Sequence, residues 1–167
     1  MLIAGLGVRF RRAVAAAGLT GCTARTTDTS FYSVGDPIVS DPLGVLTDRR
    51  VEDGVLRRHP EAFFQANRFL IGGLVGSVMD AVPDGNVLDL YAGVGLFSIA
   101  LAASGRTKVV AVEGDPISNR DLQRNAEPYS SQLRVIRGSV EAYIARGGRS
   151  TTGTVIVDPP RTGMSKE

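Results

Sequence analysis

Hydrophobic residues recur with two different periods along this chain, and the change of period separates its regions. Residues 8–17 carry apolar positions at helical spacing, whereas residues 19–58 contain short β-type runs between Thr, Ser, Asp, Gly and Pro. The runs SFYSV, PIVS, GVLTD and GVLRRH predict strands of a small antiparallel, hairpin-like region. Between residues 62 and 81 apolar positions repeat at i and i+4, which predicts one amphipathic helix despite three glycines.

Strand-like and helix-like segments alternate regularly after the turn signal Pro83-Asp84-Gly85. The expected strands are NVLDLY, KVVAVEG, LRVIRG and TVIVDPP, and the expected helices are GLFSIALAASG, DPISNRDLQRNAEPY and SVEAYIARGG. Such alternation predicts right-handed crossovers and a parallel sheet with helices on both faces. We therefore expect an α/β, Rossmann-like sheet with helices on both faces that is incomplete at the C-terminus. Residues 1–58 are expected to be the remnant of a small α+β domain with a β-rich segment, and residues 59–167 the N-terminal part of the sheet domain.

Composition and charge restrict the function without naming one. The formal net charge is +2 and 43% of the residues are hydrophobic, so charge alone selects neither a nucleic acid nor a membrane as partner. A single cysteine forms no internal disulfide and no CxxC pair is present, which argues against zinc and iron–sulfur sites and for a reducing, cytoplasmic compartment. No apolar run reaches the roughly 18 residues of a membrane span, so no membrane association is expected.

Polar residues follow the predicted strands at the sheet edge where ligands of this fold class bind. These residues are Asp89, Tyr91, Gly93, Glu113, Ser139 and Asp158. Gly93 and Gly95 permit a sharp turn and a close approach of backbone to ligand, and Glu113, 18 positions after Gly95, can accept hydrogen bonds from a ribose diol. Each feature also has a structural interpretation: a tight βα turn for the glycines, a solvated strand end for Glu113, and an ordinary helix N-cap for Asp115-Pro116.

The glycine loop distinguishes between cofactor classes. A dinucleotide site requires G-x-G-x-x-G so that a pyrophosphate sits on the helix N-terminus, but Ser98 occupies the position of the third glycine and Phe97 adds bulk. S-adenosylmethionine, with a ribose diol and an amino-acid tail but no phosphate, suits the loop better. After the last strand, two prolines remove two backbone donors and stiffen the exit from the sheet, which fixes Asp158 and Arg161 at the edge of the site.

Four motifs taken together resemble a known family. In order and spacing, EAFFQANRF, VLDLYAGVGLFSIALA, VVAVEGDP and VIVDPPRTG are similar to the uracil-5 RNA methyltransferases, which form 5-methyluridine in tRNA and ribosomal RNA. The resemblance covers residues 59–165 well and residues 19–58 more loosely, as the end of that family's central domain. It implies a class I methyltransferase fold, S-adenosylmethionine as cofactor and RNA as partner.

The resemblance also implies a set of cofactor-binding residues. Gln65 corresponds to the cofactor-contacting glutamine of FFQxN, Leu96 to a contact position where relatives often carry Asn or Thr, and Asp158 to a residue beside the sulfonium and the target base. The implied set is Gln65, Tyr91, Gly93, Gly95, Leu96, Glu113 and Asp158. Phe63 and Phe64 are expected in the core, and Asn67 on a helix surface.

The chemistry of carbon 5 needs groups that this sequence does not place at the site. Carbon 5 of uracil becomes nucleophilic after a thiolate adds to carbon 6, and a base must later remove a proton. In the resembling family both groups follow DPPRxG, whereas the only cysteine here is Cys22. We therefore expect a truncated member that binds cofactor without completing the reaction, and whose open sheet edge can pair with another chain.

Other functions remain open at this stage. One is an amino-group methyltransferase, although Arg161 stands where such enzymes carry an aromatic residue. Another is a non-catalytic module that binds a nucleotide-like cofactor. A nicotinamide-dependent dehydrogenase is disfavoured by the missing third glycine.

Overall fold

The computed structural model of this protein describes residues 2–25, 31–65, 67–106, 108–148 and 153–160. The chain forms two compact units, Met1–Val39 and Ser40–Glu167. The predicted boundary between residues 58 and 59 lies inside the larger unit. The physical reason is that Leu43, Leu46 and Leu56 are buried in the same hydrophobic cluster as the central sheet.

The smaller unit contains one helix and a β-hairpin. Helix α1 spans Leu2–Ala16, strand β1 Gly21–Arg25 and strand β2 Phe31–Gly35. Gly18 follows the helix with a φ of 66°, a left-handed conformation typical of helix C-termini. The two strands pair antiparallel from Gly21 opposite Gly35 to Arg25 opposite Phe31, which confirms the predicted hairpin-like region.

The larger unit begins with a short β-rich segment and continues as an α/β domain. Its elements are β3 (Val39–Pro42), α2 (Leu43–Leu46), β4 (Val55–Arg58), α3 (Ile71–Ala81), β5 (Val87–Leu90), α4 (Leu96–Ala103), β6 (Val109–Glu113), α5 (Pro116–Ala126), β7 (Leu133–Arg137), α6 (Val140–Ala145) and β8 (Thr154–Val157). Strands β3 and β4 form a two-stranded sheet of their own. The predicted strand GVLTD is wrong, because Leu43 and Leu46 bury one side of the short helix α2.

The central sheet confirms the predicted fold class. Its four described strands run in the order β7-β6-β5-β8 and all their pairings are parallel. The chain steps outward from β5 through β6 to β7 and then returns to the other side of β5. Strand β5 therefore lies at the point where the strand order reverses, and its carboxyl end is where ligands of such sheets bind.

Alternate residues of the sheet face two separate hydrophobic clusters. Val87, Val109 and Ala111 belong to the larger cluster, which includes buried residues of α3, α4 and α5. Leu88 and Leu90 belong to a second cluster with Val140 of α6. Apolar side chains on both faces match the nearly continuous hydrophobic strands seen in the sequence.

Helix α3 is shorter than its periodicity predicts. The expected helix covered residues 62–81, but among the described residues of that range only Ile71–Ala81 are helical. Asn67 forms a turn directly before the helix. Its side-chain Oδ1 accepts the Phe69 N–H at 3.1 Å, and its backbone carbonyl accepts the Leu70 and Ile71 N–H groups at 3.1 Å. This local turn replaces the earlier helical hydrogen bonds.

Candidate functional site

The loop between β5 and α4 has an unusual backbone. Tyr91, Gly93 and Gly95 have φ angles of 61°, 58° and 96°. A tyrosine in the left-handed region costs about 1–2 kcal/mol, so the surrounding structure must impose that conformation. The loop also begins at the carboxyl end of β5, and such strain often accompanies ligand-binding loops.

The two glycines of the loop serve different purposes. A Cβ on Gly95 would lie 2.6 Å from Leu122 Cδ1 and 2.8 Å from Ile99 Cγ1, so a side chain there would force these neighbours to shift. A Cβ on Gly93 would meet nothing within 4 Å. Gly93 therefore leaves its surface free for a ligand, while Gly95 allows the loop to pack closely against α5.

Glu113, at the end of β6, holds the glycine loop through its carboxylate. Oε2 accepts the Gly93 N–H at 2.6 Å and Oε1 accepts the Asp115 N–H at 2.6 Å. The carboxylate is thus anchored by two backbone groups and is almost fully buried. Because an ionised carboxylate has about four lone-pair sites, each oxygen can still accept one more hydrogen bond.

Asp89, in β5, is a second buried carboxyl group at this edge. It is 1% exposed, and Ser98 Oγ of α4 lies 2.5 Å from its Oδ2. Its Oδ1 has no hydrogen-bond partner within the described residues. Burial raises the pKa of Asp89 to about 7, against the Ser98 hydrogen bond, and the nearby carboxylates of Asp158 and Glu113 add to the increase.

The structure also brings Gln65 and Asp158 together from distant parts of the sequence. Gln65 Nε2 donates a hydrogen bond to Asp158 Oδ2 at 3.4 Å, and Asp158 is exposed while Gln65 is half-buried. Asp158 follows the last residue of β8 and influences the buried Asp89 of the neighbouring strand. An amide donor and a carboxylate acceptor therefore stand beside each other at the edge of the sheet. Arg161, the remaining charged residue of DPPR, lies outside the described residues.

Three other predicted residues make contacts of their own. The Tyr91 hydroxyl donates to Glu141 Oε1 of α6 at 3.0 Å, and partial burial together with Glu141 raises the pKa of Tyr91. Leu96 is buried in the larger hydrophobic cluster, so a ligand would meet its main chain rather than its side chain. Ser139 caps α6, where its Oγ accepts the Ala142 N–H at 3.1 Å.

Several expectations for neighbouring residues can be compared with the structure. The N-cap at Asp115 is confirmed, since its Oδ2 accepts the Ser118 N–H at 2.8 Å. Phe64 packs against the core as expected, with the Arg58 guanidinium 4.3 Å from its ring centroid. The core position of Phe63 is wrong, because its side chain is 70% exposed. Asn67 lies before helix α3 rather than on its surface.

Sequence reasoning missed the buried polar face of α5. Asn119, Asp121 and Asn125 are almost completely buried, together with Ser118. Leu122 and Ala126 lie one turn apart on this helix, so apolar spacing could have marked the face that also carries Asn119 and Asn125. Polar residues on an apolar helical face indicate specific buried partners.

The site has the features that a cofactor with a sugar and an amino-acid tail requires. The space over Gly93 is open and Glu113 retains acceptor capacity. Among those residues no group of three or more His, Cys, Asp or Glu could hold a metal ion. In the described part of the chain, no helix is long and apolar enough to cross a membrane.

Known proteins resemble the chain in both sequence and structure. Residues 76–147 match the family model of the TRM5/TYW2 methyltransferase domain. The 23S rRNA (uracil(747)-C(5))-methyltransferase of Pyrococcus abyssi is 34% identical over 145 residues, covering 82% of this chain and 34% of that protein. The tRNA (uracil(54)-C(5))-methyltransferase of Pyrococcus furiosus is 35% identical over 106 residues, covering 64% of this chain and 25% of that protein.

A solved structure has the same fold. The Pyrococcus abyssi tRNA (uracil-54, C5)-methyltransferase, in complex with S-adenosyl-L-homocysteine, superimposes with a TM-score of 0.66 at 25% identity, over 89% of this chain and 36% of that one. The chain belongs to an RNA methyltransferase family. It spans about a third of the length of the Pyrococcus abyssi relatives. Its α/β sheet is the sheet of the class I methyltransferases, as the motifs predicted.

Proposed function

We propose that this chain forms the S-adenosylmethionine-binding site of an RNA methyltransferase that acts on carbon 5 of uridine. The observation that carries the proposal is the loop around Gly93, which is open to a ligand and held by the buried carboxylate of Glu113. The solved structure of the Pyrococcus abyssi tRNA (uracil-54, C5)-methyltransferase contains S-adenosyl-L-homocysteine, and that supports the same cofactor here.

The ribose and the amino-acid tail of the cofactor each have a chemical counterpart at the site. The remaining lone pairs of Glu113 can accept hydrogen bonds from the ribose hydroxyls, and the amino-acid tail can lie over Gly93. When bound, the cofactor supplies an electrophilic methyl group.

The pair Gln65 and Asp158 suits a uracil ring. Uracil presents a carbonyl acceptor next to the N3–H donor on one edge, and the pair presents an amide donor beside a carboxylate acceptor. Transfer to carbon 5 also requires a thiolate that adds to carbon 6. The single cysteine, Cys22, lies in β1 of the smaller unit, so the proposal for these residues concerns cofactor and base binding.

The comparisons favour uridine over other bases. The uracil-5 relative from Pyrococcus abyssi matches 82% of the chain, whereas the TRM5/TYW2 model matches residues 76–147, a range that includes neither Gln65 nor Asp158. The TRM5/TYW2 match nevertheless supports a second candidate, an RNA methyltransferase of that type. Analysis of the methylated nucleoside made by the longest native form of the protein separates the two: 5-methyluridine supports the first, and any other methylated nucleoside supports the second.

Calorimetric titration tests the cofactor site directly. We expect S-adenosylmethionine and S-adenosyl-L-homocysteine to bind with dissociation constants on the order of micromolar. Glu113→Ala should weaken binding at least about tenfold, because it removes the acceptor and releases the Gly93 N–H. Glu127→Ala, at an exposed carboxylate, is the matched control and should leave affinity unchanged. Heat with NAD but none with either S-adenosyl compound would contradict the proposal.

A further inference from the structure

The side chain of Asn125, in α5, joins backbone groups from two separate segments. Its Oδ1 accepts the Arg57 N–H at 2.9 Å, and its Nδ2 donates to the Arg57 carbonyl at 2.8 Å and to the Val94 carbonyl at 3.0 Å. The residue is 5% exposed. One buried carboxamide therefore uses its acceptor and both of its donors on main-chain groups.

On one side, Asn125 acts as an additional partner for strand β4. A strand residue presents one N–H and one carbonyl to its neighbour, and Arg57 finds both complements in a single side chain. One helical turn earlier, Asp121 Oδ2 accepts the His59 N–H at 2.6 Å. Helix α5 thus fixes the course of the chain through residues 57–59, just before the segment that carries Gln65.

On the other side, Asn125 fixes the peptide between the two glycines of the loop. The Val94 carbonyl lies between Gly93, whose N–H is held by Glu113, and Gly95, against which Leu122 of α5 packs. Removing the Nδ2 donor would leave a buried carbonyl unpaired. Rotating that carbonyl toward water would then lower the free energy of the loop, because water would supply the missing hydrogen bond. The rotation would also change the surface that Gly93 presents to a ligand.

We infer that Asn125 is a positioning residue that couples β4 and the Gln65 segment to the glycine loop, so that binding at the loop also orders the segment leading to Gln65. The inference rests on the proposed function, because it assigns to Asn125 the alignment of the cofactor side of the site with its Gln65–Asp158 side. This role differs from cofactor contact, because Asn125 bonds only to the main chain of Val94 and Arg57 and acts on the site through those two residues.

The variant Asn125→Asp tests the loop side with little change in size. It retains the acceptor for the Arg57 N–H but loses both donors. S-adenosyl-L-homocysteine should bind at least about tenfold more weakly to this variant in calorimetric titration. The matched control is Thr47→Val, which removes the buried hydrogen bonds of Thr47 Oγ1 to the Leu43 carbonyl and the Val51 N–H, neither of which belongs to β4 or to the glycine loop. We expect the control to lose thermal stability while keeping wild-type affinity.

Amide hydrogen exchange measures the coupling itself. In the wild type, S-adenosyl-L-homocysteine should slow exchange at Gly93 and also at Arg57 and His59, whereas in Asn125→Asp the protection at Arg57 and His59 should disappear. Without ligand, Asn125→Asp should speed exchange at both Gly93 and Arg57, while Asp121→Ala should speed it at His59 and leave Gly93 unchanged.

The outcomes separate the two proposals. Wild-type affinity in Asn125→Asp, or equal losses of affinity in Asn125→Asp and Thr47→Val, overturns the positioning role. Absence of binding to the wild type overturns the proposed function, and the ligand-free exchange pattern then still decides the coupling: faster exchange confined to Arg57 overturns it, and faster exchange at both Arg57 and Gly93 supports it.

Discussion

At the scale of single residues, the two glycines of loop 91–95 are needed for different physical reasons. Gly95 is required by its neighbours, because Leu122 and Ile99 occupy the volume of a side chain, while Gly93 is required by its conformation and by the space it leaves open. The two glycines of one sequence motif therefore differ in their surroundings: Gly95 is closely packed, and Gly93 borders the open space where we propose that the cofactor binds.

The two glycines should respond differently to alanine. Gly95→Ala combines a φ of 96° with an overlap at 2.6 Å from Leu122, so we expect a loss of about 3 kcal/mol in the free energy of unfolding. Gly93→Ala meets open space at a φ of 58° and should lose only about 1 kcal/mol while weakening S-adenosyl-L-homocysteine binding at least about tenfold. Urea denaturation and calorimetry measure the two effects, and equal stability losses in both variants would contradict this division.

Asp89 should make stability depend on pH. Its folded pKa of about 7 lies above the ordinary value of 3.8, so the unfolded chain releases this proton at lower pH than the folded protein. The contribution of Asp89 to the free energy of unfolding is therefore intact below pH 4, falls as pH rises to about 7, and is then lower by up to about 4 kcal/mol. The fall with increasing pH is the direction expected for a carboxyl group whose pKa is raised by burial.

The variant Asp89→Asn removes this titration and can still accept the Ser98 hydroxyl. Relative to the wild type, it should gain stability between pH 5 and pH 8 in urea denaturation at a series of pH values. Asp53→Asn, at an exposed carboxyl, is the control for the loss of one carboxylate from the chain. Parallel profiles for Asp89→Asn and the wild type would show that Asp89 titrates normally.

At the scale of elements, the parallel strands were predictable and the start of α3 was not. Continuous apolar runs between helical segments indicate buried parallel strands whatever their neighbours are. The apolar spacing before Ile71 was equally helical, but Asn67 forms a local turn, and Phe69 and Leu70 remain 85% and 67% exposed. Within the helix, Ile71 and Val75 are buried while Leu74 is 42% exposed. The sequence has two apolar stripes on this helix, and only tertiary packing decides which of them is buried.

The site was predictable to the extent that it depends on strand ends. Asp89, Glu113 and Asp158 lie together because parallel strands end at one edge, and this follows from the fold alone. The roles of Asn125 and Ser98 were not predictable, because both depend on which side chains meet across helices. Glu113 was expected either to bind a ribose or to be a solvated strand end, and its hydrogen bond with the Gly93 N–H became visible only in three dimensions.

The glycines of α3 provide a test of helix packing. A Cβ on Gly73 would meet nothing within 4 Å, whereas one on Gly72 would lie 3.1 Å from the Val45 carbonyl oxygen. Gly73→Ala should therefore raise the free energy of unfolding by about 0.5–1 kcal/mol, the difference in helix propensity. Gly72→Ala is the matched control and should gain less or lose stability. Urea denaturation of both variants decides, and identical gains would show that α2 does not pack closely on this helix.

At the scale of the whole molecule, the site residues are all contained in the larger unit. Residues 40–58 belong with them, since Leu43, Leu46 and Leu56 share the core of the central sheet and Arg57 pairs with Asn125. The division after Val39 and the predicted division after residue 58 therefore have different consequences. A chain cut after Val39 keeps every buried leucine of the sheet's core, whereas a chain cut after residue 58 loses Leu43, Leu46 and Leu56 from that core.

Two truncations distinguish these boundaries. A chain that begins at Ser40 should bind S-adenosyl-L-homocysteine within about twofold of the full chain, because it retains every contact around Gly93 and Glu113. A chain that begins at His59 removes several buried leucines, each worth about 2–5 kcal/mol, and should fail to unfold cooperatively. Calorimetric titration and thermal denaturation followed by circular dichroism measure both. Cooperative unfolding and full affinity in the shorter chain would place the boundary after residue 58, because residues 40–58 would then contribute nothing that the sheet needs.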